Sequence, residues 1–326
     1  MSAGQRSPGA GAMGTASTAP VSRAEFDRVF EACKTWGAWG PEDERGALNH
    51  ITAGHVIAAA TLVREGVTIP CSWHLDTTAG PDNPRPALHH MTRLHDVQRG
   101  GSADLRSAGD FIGVEFHGDA HTHIDALCHI AYRGSIYNGI AADRAITSHG
   151  ASRGSIAVAG KGIVSRGVLL DFPRLRGTPW VEPGEAIGRD EFLLAGAAAG
   201  TDLGQADIVL IRTGHARRRT ELGPWDAAAS KAGLAVAVMP ILHERRIAAI
   251  GFDGDGEVAP SPCEGIRSPI HAIGITAMGL HFLDSLDLEA LSAACAERNR
   301  WTFMFVIAPL RIEGGTGSPV NPIAVF

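Results

Sequence analysis

Residues 117–130, with the sequence HGDAHTHIDALCHI, constrain this chain more than any other segment. They include four of its 15 histidines and two of its aspartates. If the segment is extended, alternate side chains project to the same side of the strand, and small or apolar residues occupy the other side. The residues on the polar side are then His117, Asp119, His121, His123 and Asp125. This pattern predicts a strand whose polar face lines a cavity.

Histidine and aspartate side chains gathered on one face predict a metal site. Buried without partners, such groups would cost several kcal/mol, and a bound cation removes that cost. Imidazole and carboxylate ligands without a clear cysteine indicate Zn²⁺, Mn²⁺ or Fe²⁺ rather than Ca²⁺ or Mg²⁺. Structural zinc sites usually close with thiolates, so the pattern favours a catalytic metal. Cys128 lies on the face opposite the histidines, which favours a buried structural thiol over a thiolate ligand.

Charge and composition exclude several classes of partner. A net charge of −6 and a pI near 6.2 argue against nucleic acid and anionic membranes. No apolar run is long enough to span a bilayer. The expected partner is a small-molecule substrate, with neither nucleic acid nor membrane. The five cysteines are scattered without CxxC spacing, a pattern typical of reduced thiols, and this predicts a cytoplasmic protein.

The hydrophobic pattern predicts one α/β domain behind a short tail. Residues 1–22 are rich in small and polar residues, which predicts a disordered tail. Ser22, with Glu25 at the capping-box position, predicts the start of a helix. β-type runs then alternate with helical stretches over residues 23–326, which we interpret as a single domain. The β-type runs lie at 66–75, 110–118, 167–172, 207–214, 247–254 and 301–310, and the helical stretches include 188–200 and 288–299.

Part of the histidine-rich segment, DAHTH at 119–123, resembles the HxH strand of the amidohydrolase superfamily. Those enzymes are metal-dependent TIM barrels, in which a lysine, two histidines and an aspartate complete the site. The candidates for these positions are Lys161, His215, His243 and Asp253. However, the HxH strand normally opens the barrel, whereas here more than ninety ordered-looking residues precede it. Eight βα units would also be crowded into the remaining chain.

A longer stretch, THIDALCH at 122–129, resembles the THxDxxxH half of the HxGTHxDxPxH signature of the cyclase family. This family includes bacterial kynurenine formamidase, isatin hydrolase and trans-dienelactone hydrolase. Four further segments are similar to characteristic segments of its longer members, in the same order along the chain. They are WGPEDERGALNHIT at 39–52, VLIRTG at 209–214, GLHFLDSLDLEAL at 279–291 and GGTGSPVNPIAV at 314–325.

The resemblance implies a swivelling β/β/α fold and a homodimer or homotetramer. It also implies a metal-dependent hydrolase that opens an amide, a cyclic amide or imide, or a lactone bond with metal-activated water. One or two divalent ions per chain are expected, with Zn²⁺ or Mn²⁺ favoured. A non-hydrolytic cyclase or dehydratase of the same fold, acting in a biosynthetic pathway, is the alternative function.

Site residues carry over from the family one position at a time. His123 and Asp125 match ligands of the first metal, and His129 matches the histidine that acts as general acid/base or assists a second metal. His271 resembles a later family histidine, and Asp284 stands where members usually have Glu. In two-metal relatives this pair binds the second ion together with the shared aspartate. A solvated loop residue at His271 and a helix N-cap at Asp284 are the structural alternatives.

The sequence departs from the signature at two positions. Asp119 replaces the first family histidine, and His121 replaces the family glycine. We expect Asp119 to be the third metal ligand, because it keeps an oxygen donor on the correct strand face, with His121 as the alternative. Trp36 and Trp39 precede a family-like segment and are predicted to wall the substrate pocket, with core packing as the alternative.

Overall fold

A nine-stranded mixed sheet runs through the computed structural model, which describes residues 19–95 and 105–326. Most of the predicted tail, residues 1–18, lies outside the described residues. In the remainder of that segment, the Val21 backbone N–H donates to the Pro262 carbonyl, and Val21 forms a β-bridge with Cys263. Ser22 caps the first helix as predicted, since its hydroxyl accepts from the Glu25 backbone N–H.

The described residues form fifteen strands and nine α-helical segments. The strands are β1 (Thr68–Pro70), β2 (Leu88–Arg93), β3 (Gly109–Gly113), β4 (His123–Asp125), β5 (Ile146–Thr147), β6 (Gly150–Ala151), β7 (Ile163–Asp171), β8 (Ala186–Ile187), β9 (Ile208–Arg212), β10 (Gly233–Leu234), β11 (Ala249–Phe252), β12 (His281–Asp284), β13 (Thr302–Ile307), β14 (Gly317–Pro319) and β15 (Ile323–Val325). The helices are α1 (Arg23–Ala32), α2 (Ala53–Ala60), α3 (Ala142–Ala145), α4 (Phe172–Arg176), α5 (Arg189–Ala198), α6 (His215–Leu222), α7 (Met239–Glu244), α8 (Pro269–His271) and α9 (Glu289–Arg298). A π-helical segment, Ala272–Ala277, continues α8.

The order of the main sheet is β1-β15-β13-β7-β9-β11-β12-β4-β14. Its four central strands, β7, β9, β11 and β12, run parallel, and the flanking pairs are antiparallel. The parallel strands are short continuous apolar runs because both of their faces are buried, each against its own apolar cluster. The α/β class is therefore confirmed. None of the described helices is long and apolar enough to cross a membrane.

The open mixed sheet excludes the TIM-barrel alternative, which requires eight parallel strands closed on themselves. Each predicted β-type run and helical stretch contains a strand or helix, although β1 covers only three residues of 66–75 and β3 only part of 110–118. Within the histidine-rich segment, only His123–Asp125 forms a strand, and residues 114–122 are irregular. The prediction of an extended strand was therefore wrong over most of the segment.

Two short pairings fix β4 at the end of the parallel core. His123 is the register partner of Asp284 on β12, and Asp125 is the partner of Gly317 on β14. Because side chains alternate along a strand, His123 and Asp125 project to one face of the sheet, beside Asp284 at the carboxyl end of β12. The sheet therefore brings together ligand-type residues that are distant in sequence.

Gly279 lies two residues before β12 in a left-handed backbone conformation, and substituting it tests this part of the fold. Its φ is +68°, and an added Cβ would lie 2.9 Å from the Gly46 Cα and 2.6 Å from the Tyr137 Cε2. Gly177 is a matched control, because its φ is +69° but an added Cβ would meet no atom within 4 Å. We expect Gly177→Ala to cost about 1–2 kcal/mol of the free energy of unfolding through backbone strain alone. Gly279→Ala should cost about 1–3 kcal/mol more through overpacking.

Urea unfolding of both variants, followed by circular dichroism, measures the difference. Equal losses in the two variants would show that the Gly46–Gly279 approach does not constrain the fold.

Candidate metal centre

The first group of ligand-type atoms consists of His117, His123 and Asp125. His123 and Asp125 lie on β4 and are almost completely buried, whereas a quarter of the His117 side chain is exposed. The Asp125 Oδ1 lies 3.0 Å from the His117 Nδ1 and 3.4 Å from the His123 Nε2. One ligand atom from each residue lies within 4.8 Å of the other two, a spacing that suits a single metal ion.

The second group consists of Asp125, His271 and Asp284. The His271 Nε2, at the end of α8, lies 3.2 Å from the Asp284 Oδ2 and 3.7 Å from the Asp125 Oδ2. All three side chains are buried. Asp125 belongs to both groups, so the two groups form one continuous centre.

Hydrogen bonds to the second ring nitrogen orient each histidine. The His123 Nδ1 lies 2.7 Å from the His121 carbonyl oxygen, and the His271 Nδ1 lies 2.9 Å from the Glu257 Oε1. The His117 Nε2 lies 2.9 Å from the Thr316 hydroxyl. In each case the remaining nitrogen faces the carboxylates. Metal-binding histidines are held in this way, because the outer hydrogen bond fixes the tautomer and the ring orientation.

Several buried atoms in the centre lack hydrogen-bond partners among the described residues. They include both carboxylate oxygens of Asp125, the Asp284 Oδ1 and the His117 Nδ1, which is close to Asp125 but not aligned for a hydrogen bond. Unpaired buried groups of this kind are costly, and a divalent cation would satisfy them together. Nitrogen and oxygen donors without a thiolate fit Zn²⁺, Mn²⁺ or Fe²⁺. The residues present therefore fit a divalent metal.

The two central carboxyl groups differ in their electrostatic environment. Burial opposes ionisation of Asp125, but the imidazoles of His129, His117 and His123 outweigh it and hold the pKa of this carboxyl below its ordinary value. Burial raises the pKa of Asp284 to about 6, against the effect of His271 and with a smaller contribution from the charge of Asp125. Asp125 is thus the permanent anion of the centre, and Asp284 becomes one most easily when a cation is present.

His129 lies beside the centre rather than within either group. Its ring stacks on the His117 ring, with 3.8 Å between centroids and 4° between planes, and its Nε2 lies 3.9 Å from the Asp125 Oδ2. Burial lowers the pKa of His129 to about 4, although the Asp125 charge opposes the shift. The imidazole is therefore neutral near pH 7, and a quarter of its side chain is exposed. A neutral, accessible imidazole can accept a proton.

Asp119 and His121, the two residues considered for the third ligand, lie outside both groups. The Asp119 carboxylate is paired with the Lys231 ammonium, and the His121 side chain is buried but belongs to neither group. His117 occupies the place beside Asp125 instead. The irregular backbone of residues 117–122 accounts for the difference, because strand alternation cannot be extended back from His123. His117 was one of the five residues of the predicted polar face, but the family signature places its first histidine at position 119.

The remaining residues predicted to take part in the site lie outside both ligand groups. Cys128 is buried in the apolar core outside both groups, and burial raises the pKa of its thiol to about 12. The Trp36 indole N–H donates to the Thr276 carbonyl, and its ring packs against Phe30. Trp39 lines a separate cavity of about 140 Å³. The four amidohydrolase candidates, Lys161, His215, His243 and Asp253, do not join either group.

A cavity of about 540 Å³ adjoins the His117 side of the centre. Residues 117–121 form one wall, residues 81–85 another, and Arg267 also lines it. A second cavity of about 280 Å³ includes Trp73 and shares Asp119 and Ala120 with the first. The larger cavity has the volume of a typical small-molecule site.

Comparisons with known proteins agree on one family. A family model described as "Putative cyclase" matches residues 67–256. The crystal structure of a novel cyclase is 32% identical, with a TM-score of 0.82, and covers 90% of this chain and 100% of its own. A search of curated proteins gives no match.

Two more distant structures share the fold. Isatin hydrolase A from Ralstonia solanacearum is 19% identical with a TM-score of 0.53, covering 85% of this chain and 98% of its own. A predicted metal-dependent hydrolase from Bacillus stearothermophilus is 16% identical with a TM-score of 0.50, covering 80% of this chain and 98% of its own. At these identities the likeness establishes the shared fold alone.

The position of His117 gives a test of the third ligand. We expect His117→Ala to weaken binding of Zn²⁺ or Mn²⁺ by more than about 100-fold, beyond the usual effect of changing a residue outside the ligand set. His121→Ala is the matched control and should have a smaller effect. The affinity is measured on metal-stripped protein by competition with a chromogenic chelator. The opposite ranking would assign the third ligand to His121.

Proposed function

This chain belongs to the cyclase family, and on that premise we propose that it is a metal-dependent hydrolase of small molecules. The bond opened is an amide, a cyclic amide or imide, or a lactone bond. The observation that supports the proposal most directly is the buried centre in which two groups of histidine and carboxylate ligands share Asp125. Hydrolase names among proteins of the same fold are consistent with this reaction class.

We assign the first ion to His117, His123 and Asp125, and a second ion to Asp125, His271 and Asp284. Zn²⁺ and Mn²⁺ suit this ligand set best, with one or two ions per chain. When bound, such a cation supplies Lewis acidity that polarises a carbonyl group and makes a water molecule more acidic. Glu257 and the His121 carbonyl hold the rings of His271 and His123 in the orientation that binding requires.

His129 is proposed to transfer the proton during hydrolysis. It lies at the edge of the centre, partly exposed, and is neutral near pH 7. A neutral imidazole can take a proton from the attacking water and return it to the leaving nitrogen or oxygen. Its stacking on His117 keeps the Nε2 on the Asp125 side of the centre.

The cavity beside His117 is proposed to hold the substrate. Its volume suits a small molecule, and its wall includes the backbone and side chains of the ligand-bearing segment. Both charged and apolar groups line it. Assembly into a homodimer or homotetramer and a cytoplasmic location stay predictions.

A non-hydrolytic cyclase or dehydratase is the second candidate function. It is favoured by the relative at 32% identity, whose description is a novel cyclase. The same centre could hold a carbonyl group while His129 removes a proton from carbon or oxygen. Reaction in H₂¹⁸O separates the two functions, because hydrolysis places the label in the new carboxylate and a cyclisation does not.

The metal requirement is the first test of the proposal. We expect purified protein to contain one or two divalent transition ions per chain and to hydrolyse at least one member of a panel of cyclic imides, isatins, lactones and N-formyl anilines. A chelator should abolish this activity, and Asp125→Ala should abolish both the activity and the bound metal, because Asp125 belongs to both ligand groups. Asp110→Ala is the control, since it removes an exposed carboxylate on β3.

Metal content is measured by mass spectrometry and activity by release of the acid product. Full hydrolytic activity in metal-free protein would refute the proposal.

His129→Asn separates proton transfer from metal binding. If His129 moves the proton, the variant should keep its metal while kcat falls by about 10²–10⁴-fold, the usual contribution of a positioned acid or base. Thr276→Ser is a suitable control, because it keeps a hydroxyl that donates to the Ile130 carbonyl near the same turn. Metal content and kcat are measured on the same preparations. Unchanged kcat at full metal occupancy would remove His129 from the mechanism.

A further inference from the structure

Lys231 is a buried cation clamped between two carboxylates. Its Nζ lies 2.8 Å from the Asp119 Oδ1 and 2.5 Å from the Asp255 Oδ2, and only 9% of its side chain is exposed. Burial disfavours the charged ammonium, but Asp255 and Asp119 outweigh burial and hold the pKa of Lys231 above its ordinary value. Lys231 therefore remains charged and fixed between its partners.

One of these carboxylates, Asp119, lies on the segment that carries His117, and the other, Asp255, contacts Glu257, the residue that orients His271. Asp119 is two residues after His117 in the irregular segment 117–122. Asp255 accepts a hydrogen bond from the Glu257 backbone N–H at 3.0 Å. The Glu257 carboxylate in turn accepts from the backbone N–H of His271 and contacts its Nδ1. A chain of contacts thus connects Lys231 to the first ligand group through one partner and to the second through the other.

The segment that carries His117 needs such a contact. Strand pairing in this segment starts only at His123, so residues 117–122 have no ladder of strand hydrogen bonds among the described residues, and one backbone bond, from the Val320 N–H to the Thr122 carbonyl, lies at their end. Ser285 donates to the Gly118 carbonyl at 3.3 Å, and the Thr122 hydroxyl donates to the Ser285 carbonyl. These contacts hold the segment to the β12 side, whereas Lys231 holds it to the loop at residues 253–257. The His117 ring also contacts Thr316, so several contacts hold the ligand-bearing segment, and Lys231 supplies the one on the side of residues 253–257.

We propose that Lys231 is a positioning residue of the metal centre, which sets the His117 segment and the Glu257–His271 pair at the separation that lets both ligand groups use Asp125. The proposal rests on the proposed metal-dependent function. It also gives Asp119 a role outside the ligand set, as the anchor of the segment through its ion pair. The ammonium touches neither ligand group directly, so it acts through its two partners.

The test compares Lys231→Met with Arg212→Met, a matched control. Arg212 is a cation of similar burial, with 7% of its side chain exposed, and it is clamped between Asp171 and Glu289. We expect Lys231→Met to weaken Zn²⁺ or Mn²⁺ binding by about 10–100-fold, the usual effect of losing a group that orients a ligand. Arg212→Met should lower the thermal midpoint equally with and without metal and leave the metal affinity unchanged. Lys231→Arg should restore most of the affinity, because it keeps the charge.

Two measurements report on positioning rather than on stability alone. They are the metal dissociation constant, obtained by competition with a chelator, and the rise in thermal midpoint on adding metal to stripped protein. A purely structural Lys231 would lower the midpoint of stripped and loaded protein alike and leave the dissociation constant unchanged, as for Arg212. In a His117→Ala background, Lys231→Met should weaken metal binding by less than it does in wild type, because one of the two segments it positions has lost its ligand.

If Lys231→Met fails to fold, variants that change only one of its two carboxylate partners test the proposal instead. Asp119→Asn and Asp255→Asn each remove one ion pair, and each should weaken metal binding more than Asp110→Asn, which changes an exposed carboxylate. Wild-type affinity in both single-partner variants would overturn the proposal, as would wild-type affinity in folded Lys231→Met. Wild-type protein that binds no metal would instead refute the proposed function, so the two failures are distinguishable.

Discussion

The burial of the Asp125 carboxylate is the constraint on which the rest of the centre depends. Its two oxygens are enclosed at the end of a strand without hydrogen-bond donors among the described residues. A buried carboxylate is tolerable only if positive charge approaches it closely. Four imidazoles lie around it, and a second carboxyl group, Asp284, lies within 4.0 Å of two of them, His123 and His271. The positions of the histidines, and the suitability of the site for a cation, follow from this requirement.

The fold meets the requirement by combining rigid and irregular segments. Parallel strands buried on both faces form the centre of the sheet, and β12 is the last of them before the direction reverses. The antiparallel β4 then sets His123 opposite Asp284 by register alone. His271 comes from a helix end held by Glu257, and His117 comes from an irregular segment held by side-chain contacts. The strand fixes the backbone position of His123, whereas the histidines outside the sheet depend on other residues for their position as well as for their ring orientation.

Much of this arrangement could be predicted from the sequence, because it depends on local patterns. Ser22 identified the start of α1, and continuous apolar runs identified β7, β9 and β11. The family resemblance pointed to His123, Asp125, His271 and Asp284, and the structure brings these four together. The position of His117 was not predictable from strand period, because the path of the backbone before β4 depends on contacts with Lys231 and Ser285, which are more than a hundred residues away. Asp119 was predicted to be a ligand because nothing in the sequence indicates that it pairs with Lys231.

The sharing of Asp125 between the two groups has a thermodynamic consequence. An ion bound in one group is neutralised in part by Asp125, so less of that negative charge is left to attract an ion to the other group. The first ion also repels a second cation nearby. In the proposed two-ion arrangement, occupancy of the two positions would therefore be linked, and by reciprocity each ion would lower the affinity for the other by the same factor. Two successive dissociation constants, rather than one constant counted twice, describe such a centre. The metal concentration around the protein would then determine whether it holds one ion or two.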